Sequence, residues 1–399
     1  MKPAAQLAPE VLTSSLLWTW STKSALLLLK RPAYEFSTRI LDRVSQDTDA
    51  HFVFSPLSTW LQLTALAEGS SGKTFREIWK VTRHHRNRCF KLKLAKILNK
   101  LHRSLKYEMK RKSVMIIDEL LAVNKNYIRD VQKFSKIKVL LKSFEYPETS
   151  AAQVNKLVSS GTSGVFSEVV YSEDFNSTLL LMSDSIYFRS SWRHPFNIAY
   201  TTIEPFFAQS GEKLGEVNMM NQIGYFNMTE LSFINAKILE IPCANDVSML
   251  LFLPINDVWA GDLFFDMHRT KLTSIYNIFK SQGEKLVNVK IPRFKINTTI
   301  DNLPELLFDM GVRRIFDPDH SELDKISKFK LYASLLTQSA DIEVTEKGVR
   351  ASATTEFLVN DTEGDKKEFI ANKPFGFVIA DRKTQFILFA GMYSSPTLY

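Results

Sequence analysis

Residues 340–375 read ADIEVTEKGVRASATTEFLVNDTEGDKKEFIANKPF, and this stretch describes two structures at once. Successive side chains of a strand point to opposite faces, so a row of every second residue shows what one face would bury. From Val349 that row is Val349, Ala351, Ala353, Thr355, Phe357, Val359 and Asp361, small or apolar until its last member. The other row is Arg350, Ser352, Thr354, Glu356, Leu358, Asn360 and Thr362. The segment nevertheless opens on Glu346-Lys347-Gly348 and closes in Asn360-Asp361-Thr362-Glu363-Gly364-Asp365, which has turn chemistry and poor strand propensity. It reads as an exposed loop able to become a strand.

Working outward, EKGVRASATT (346–355) resembles the hinge and reactive-centre loop of the serpin family. Seven further segments resemble the family in its own order. FVFSPLSTW (52–60) resembles its Phe-Ser-Pro-x-Ser helix start, AEGSSGKT (67–74) its Gly-x-x-Gly-x-Thr turn, and VNKLVSSGTSG (154–164) the exit of its helix F. SDSIYFRSSW (183–192) resembles its central strand ending in tryptophan, followed by KIPRFKI (290–296) with FDMGVRRIF (308–316), and finally by NKPFGFVIADRKTQFILFAGMYSSP (372–396).

The resemblance implies an α+β serpin fold. That is a single domain with a large mixed β-sheet, two further sheets, about eight or nine helices and an exposed reactive-centre loop. Length alone, 399 residues, would suggest two or three domains; the resemblance implies one, over 33–399, with the loop at about 346–370. A 45% apolar composition with 29 Phe suits one sizeable core.

Residues 1–32 precede the resemblance. VLTSSLLWTWSTKSALLLL (11–29) is apolar, but Lys23 splits it and no small-x-small cleavage site follows. It is also short of a clean membrane span, so no stable membrane insertion is expected. Two readings stand, a divergent secretion leader and an ordered amphipathic start. Acceptor sequons at Asn176, Asn227, Asn297 and Asn360 favour secretion as a glycoprotein. The periodicity of AYEFSTRILDRVSQ (33–46) predicts a helix with Pro32 as its natural start. Cys89 and Cys243 carry no thiol motif, and two unpaired thiols are the expectation.

Between Arg83 and Lys112 twelve basic residues face Glu108 alone, an excess above the whole chain's +8. Phe90, Leu94, Ile97, Leu98, Leu101 and Leu105 recur at helical spacing, leaving Lys93, Lys96, Lys100 and Arg103 outside. By position this is the family's helix D, which in some members binds heparin-like glycans. A sulfated polymer would gain from cations in a row by releasing counterions; a plain solvated face is the competing reading. Nucleic acid is not expected, because no reading helix or aromatic interleaving accompanies the charge.

Catalytic signatures fail one by one. GSSGKT (69–74) lacks the first glycine of a phosphate loop, where Ala67 stands. No histidine has metal-ligand spacing, and no G-x-S-x-G elbow exists. Ser55 and Ser58 are better explained as helix-capping and core-bonding hydroxyls. Neither an enzyme nor a metal or cofactor is expected, and a monomer is.

What the resemblance implies mechanistically is a suicide inhibitor of a serine or cysteine protease, whose loop is cleaved and then inserted into the main sheet. Burying Val349, Phe357 and Val359 would contribute about 1.5–3 kcal/mol each. Each new ladder hydrogen bond would add about 0.5–1.5 kcal/mol. The alternative is a non-inhibitory serpin-fold carrier of a glycan, ligand or partner. Counting from Glu346 puts the cut after Thr362, and counting back from Pro374 puts it after Glu363; Asp361 completes the scissile region. The implied hinge is Glu346, Gly348, Val349, Ala351, Ala353 and Thr355, with Val349 bulkier than the family's usual Thr or Ser. The implied breach is Trp192, Arg293 and Glu346. The implied shutter, the polar network that gates the sheet, is Ser55, Ser58, Asp184 and Gln338. Asp184 replaces asparagine there, Gln338 replaces histidine, and His51 also stands where asparagine is common. Asp341 falls where an apolar residue is usual, and if buried it needs a partner.

Overall fold

A computed structural model describes residues 22–85, 87–176, 178–189, 192–243, 246–255, 259–347 and 366–399. In chain order the first half runs α1 (Thr22–Asp47), β1 (Phe52–Phe54), α2 (Pro56–Gly69), α3 (Gly72–Thr82), α4 (Arg88–Ser104), β2 (Met109–Asp118), α5 (Lys125–Phe134), β3 (Lys138–Lys142), α6 (Pro147–Gly161) and β4 (Leu180–Arg189). Then come β5 (Thr202–Phe207), β6 (Lys213–Leu231), β7 (Ala236–Pro242), β8 (Val247–Pro254), α7 (Leu263–Met267), α8 (Leu272–Gln282), β9 (Lys285–Pro292) and β10 (Phe294–Ile300). The chain closes with α9 (Leu303–Asp309), β11 (Leu335–Val344), β12 (Lys367–Ile370), β13 (Phe375–Asp381) and β14 (Ile387–Tyr393).

Five strands form a mixed sheet in the order β10-β11-β4-β2-β3. Where two further sheets are expected, nine strands join in one hydrogen-bonded sheet, β1-β14-β13-β8-β7-β6-β9-β12 with β5 beside β6. The cause is β6, 19 residues long, which pairs with β7 at its end and with β5 and β9 over its earlier part.

Period two sorts the five-stranded sheet into two faces. Met115, Ile117, Met182, Ile186, Phe188 and Ile342 join the main core. Val114, Ile116, Leu181 and Tyr187 face the other way, into a second cluster with Val154 and Val158 of α6. The helix therefore lies over the outer face, and α2, buried almost throughout, supports the inner one.

The helix predicted over 33–46 begins earlier, at Thr22, with Pro32 inside it. Proline removes the N–H that would bond the carbonyl of Leu28, and Leu28 is 45% exposed, so water can serve that oxygen. Ala25 and Leu29 are buried in the core, and their packing carries the helix through the proline. Residues 22–31 are thus the first turns of α1, while residues 1–21 lie outside the described residues.

Candidate functional site

The site is the seam between β4 and β11. These strands pair in parallel along their length, from Leu335 opposite Leu181 to Glu343 opposite Arg189. Gln338 sits opposite Asp184 on the inner face. Its Oε1 accepts from Ser55 N at 2.6 Å, and its Nε2 donates to Ser55 O at 3.0 Å and to Thr59 Oγ1 at 3.1 Å. One amide therefore fastens β11 to the first turn of α2, using both its donor and its acceptor.

Ser55 does not cap α2, contrary to the reading above. Its hydroxyl donates instead to Leu388 O at 2.6 Å, joining the helix start to β14. Ser58 N, at the third helical position that a cap would serve, donates to the Ser55 backbone carbonyl at 3.1 Å, which leaves this hydroxyl available to the core.

Asp184, fully buried, meets Arg111 of β2, Nε to Oδ1 at 2.9 Å, and the same Nε donates to Ser58 Oγ at 2.7 Å. Arg111 is the member of the network that the sequence reading missed. It stood inside a run of surface-like cations, and the only available signal was its odd-numbered place in a strand whose other odd residues, Met109, Ser113, Met115 and Ile117, are buried. His51 stands apart from the network: its Nδ1 accepts from Ser394 N and Ser395 N, each at 3.2 Å.

Asp341 is buried on the outer face and has two partners. Asn297 Nδ2 donates to it at 3.3 Å, and Lys295 Nζ lies 3.6 Å away. Burial pushes its pKa up, and the Lys295 charge pulls partly against that. Nearby, Ser183 Oγ, Ser185 Oγ and Thr337 Oγ1 are buried with no hydrogen-bond partner among the described residues.

At the top of β11 the structure brings Trp192, Arg293 and Glu346 together. The buried Trp192 donates from Nε1 to Thr345 O at 2.7 Å. Glu346 lies 3.5 Å from Arg293 Nη1 and accepts from Thr201 Oγ1 at 2.8 Å. The tail joins this cluster, since Arg293 Nε donates to Tyr399 O at 2.5 Å and Tyr399 OH donates to Glu343 at 2.9 Å. Burial and the Glu343 carboxylate push the Tyr399 phenol up to about 12.

The hinge residues Gly348, Val349, Ala351, Ala353 and Thr355, the scissile region Asp361, Thr362 and Glu363, and the sequon at Asn360 lie outside the described residues. Of the other sequons, Asn176 and Asn297 are exposed, and Asn227 donates from Nδ2 to the buried Glu240 at 2.8 Å. On α4, Lys96, Lys100 and Arg103 are exposed and Lys93 is half-buried; the helix carries no acidic side chain. The phosphate-loop-like turn holds a carboxylate of the chain's own, Glu322, which accepts from Thr74 N at 2.9 Å. Among the described residues no cluster of acidic, His or Cys side chains could hold a metal ion, and no helix is long and apolar enough to cross a membrane.

The family model described as serpin (serine protease inhibitor) matches residues 32–396. Serpin B4 of Homo sapiens is 27% identical, covering 91% of this chain and 98% of its own. Serine protease inhibitor 2 of Anopheles gambiae is 26% identical, covering 91% of each. The crystal structure of native protease nexin-1 with heparin superposes with a TM-score of 0.80 at 22% identity, over 93% of this chain and 99% of that one. The chain belongs to the serpin family, whose members are typically protease inhibitors and in some cases are not.

Proposed function

We propose that this chain is a suicide-type inhibitor of a serine or cysteine protease rather than an enzyme. The observation that carries the reading is the β4–β11 seam. β11 delivers the chain to the top of the sheet, and the segment after it would return antiparallel between the two strands. Parallel pairing is slightly the weaker kind, so exchanging one parallel ladder for two antiparallel ones is favourable. The row holding Ser352 and Thr354 would bring hydroxyls toward Ser183, Ser185 and Thr337, whose buried oxygens have no hydrogen-bond partner among the described residues. A buried polar group left unsatisfied costs about 1–3 kcal/mol.

In this reading the protease nucleophile attacks the carbonyl of Thr362 or Glu363. An ester forms, or a thioester with cysteine, as the peptide bond breaks and the new amine leaves with a proton. Insertion then carries the ester away before water reaches it. A small Thr362 suits an elastase-like pocket, and Glu363 or Asp361 an acid-directed protease. The test is incubation with elastase-like and acid-directed proteases, followed by boiling in detergent. A covalent adduct is expected, lost when the protease nucleophile is replaced. Clean cleavage with no adduct would transfer the reading to a serpin-fold binding protein.

A glycan-binding role for α4 is a second reading, favoured by its exposed Lys96, Lys100 and Arg103 with no acidic neighbour on the helix. Replacing all three by Ala lowers the salt needed to elute from heparin-agarose; unchanged elution would refute it. Secretion, with a glycan at exposed Asn176, belongs to the same proposal. Asn227 is expected to stay bare, because its amide is already committed to Glu240.

A further inference from the structure

Beside the shutter network lies a cavity of about 360 Å³, between α4, β2 and the start of α2. That volume falls within the ~300–1,000 Å³ of small-molecule sites. Its apolar lining comes from Leu57 and Leu61 of α2, Leu98 and Leu101 of α4, and Met109 of β2. Its charged lining is of one sign: Arg111, Lys112, Lys136 and Lys138 border it, and among the described residues no acidic side chain does.

Two polar groups at the cavity have donors to spare. Arg111 donates from Nε to Ser58 and is ion-paired with Asp184 at 2.9 Å, but its Nη2 is buried without a hydrogen-bond partner among the described residues. Ser113, only 3% exposed, has a buried hydroxyl that is likewise unpartnered. A guanidinium carries five donors in a planar fork matched to a carboxylate, and a charge-assisted bond to it is among the strong ones. The outward-facing cations of α4 take no part, since Lys96, Lys100 and Arg103 do not line the cavity.

We propose that this cavity binds a medium-chain carboxylate, its head on Arg111 and Ser113 and its alkyl chain against Leu57, Leu61, Leu98 and Leu101. Lys136 and Lys138, exposed at the rim, draw the anion in. Both sides of the site are needed. The leucines give no preference for charge, and the cations alone would hold a small anion without a chain.

The test is calorimetric titration of the intact chain with octanoate, with octanol as the uncharged control. It needs no protease, so its outcome is independent of whether the loop traps one. Saturable one-to-one binding of octanoate is expected, with octanol weaker by about tenfold or more, equivalent to ~1.4 kcal/mol. Because Arg111 also holds Asp184, the variants are chosen away from it. Asn99→Trp, at a half-buried lining position, obstructs the cavity, and Lys138→Glu reverses a rim charge. Each weakens octanoate about tenfold or more and leaves the unliganded melting temperature unchanged. Equal binding of octanol, absence of saturable octanoate binding, or undiminished affinity in Asn99→Trp would overturn the proposal.

Discussion

Arg111 on β2 and Asp184 on β4 meet at 2.9 Å as diagonal neighbours, Arg111 standing opposite Ile186 and Asp184 opposite Ser113. The pair explains how an aspartate can occupy a fully buried position in the network. Its charge is matched from the next strand, and Ser58 ties the same guanidinium to α2.

Removing one partner of a buried pair is worse than removing both, because a lone buried charge remains. Arg111→Met is therefore expected to lower stability by ~3–5 kcal/mol. Adding Asp184→Asn in that background restores most of the loss. Urea midpoints of the two single variants and the double check this; an unchanged midpoint for Arg111→Met would count against a structural role for the pair.

His51 must be neutral at Nδ1 to accept from Ser394 N and Ser395 N, and burial holds its pKa below the usual histidine range. A depressed folded pKa means that the unfolded chain binds the proton first, so stability rises with pH. The His51 contribution is complete above the unfolded value of about 6.5 and is lost as pH falls through the folded one. Melting temperatures between pH 8 and pH 5 should fall more steeply for the wild type than for His51→Asn. Parallel curves would show that the contact with the tail is immaterial.

Asp341 has the opposite sign. Its carboxyl is pushed up, first by burial, so the folded state binds the proton more tightly and this group loses stability as pH rises. Asp341→Asn is expected to raise the melting temperature at pH 7 and to change it little at pH 3, where the carboxyl is protonated in both states. A lower melting temperature at pH 7 would mean that Lys295 more than offsets the burial.

Nicking the chain within 348–365 tests sheet completion directly. If the freed segment enters the β4–β11 seam, the melting temperature rises well above that of the intact protein. Replacing Val349 with Arg should abolish the rise, because a charged inward residue must be desolvated to enter. No rise in the wild type would point to a seam that does not open.

The order of the elements was legible in residues that each do one local job. Pro56 starts a helix, and Gly72, at φ +48° with Glu322 where a side chain would go, opens α3. Phe90, Leu94, Ile97, Leu98 and Leu101 put α4 on the core by spacing alone, and all are buried. The early start of α1 was not legible, since Pro32 signals a boundary and only the contacts of Ala25 and Leu29 outweigh it.

At the seam the division is sharper. The resemblance to the serpin family implied Ser55, Ser58, Asp184, Gln338, Trp192, Arg293 and Glu346, because the motifs that carry it are written in neighbouring residues. Which atoms these side chains bond was a matter of tertiary structure. Gln338 finds Ser55 across 283 positions of chain, Arg111 finds Asp184 across the ladder, and Tyr399 reaches Glu343. A buried polar group takes whatever partner the packing of distant elements brings within about 3 Å, and no pattern along the chain encodes that distance.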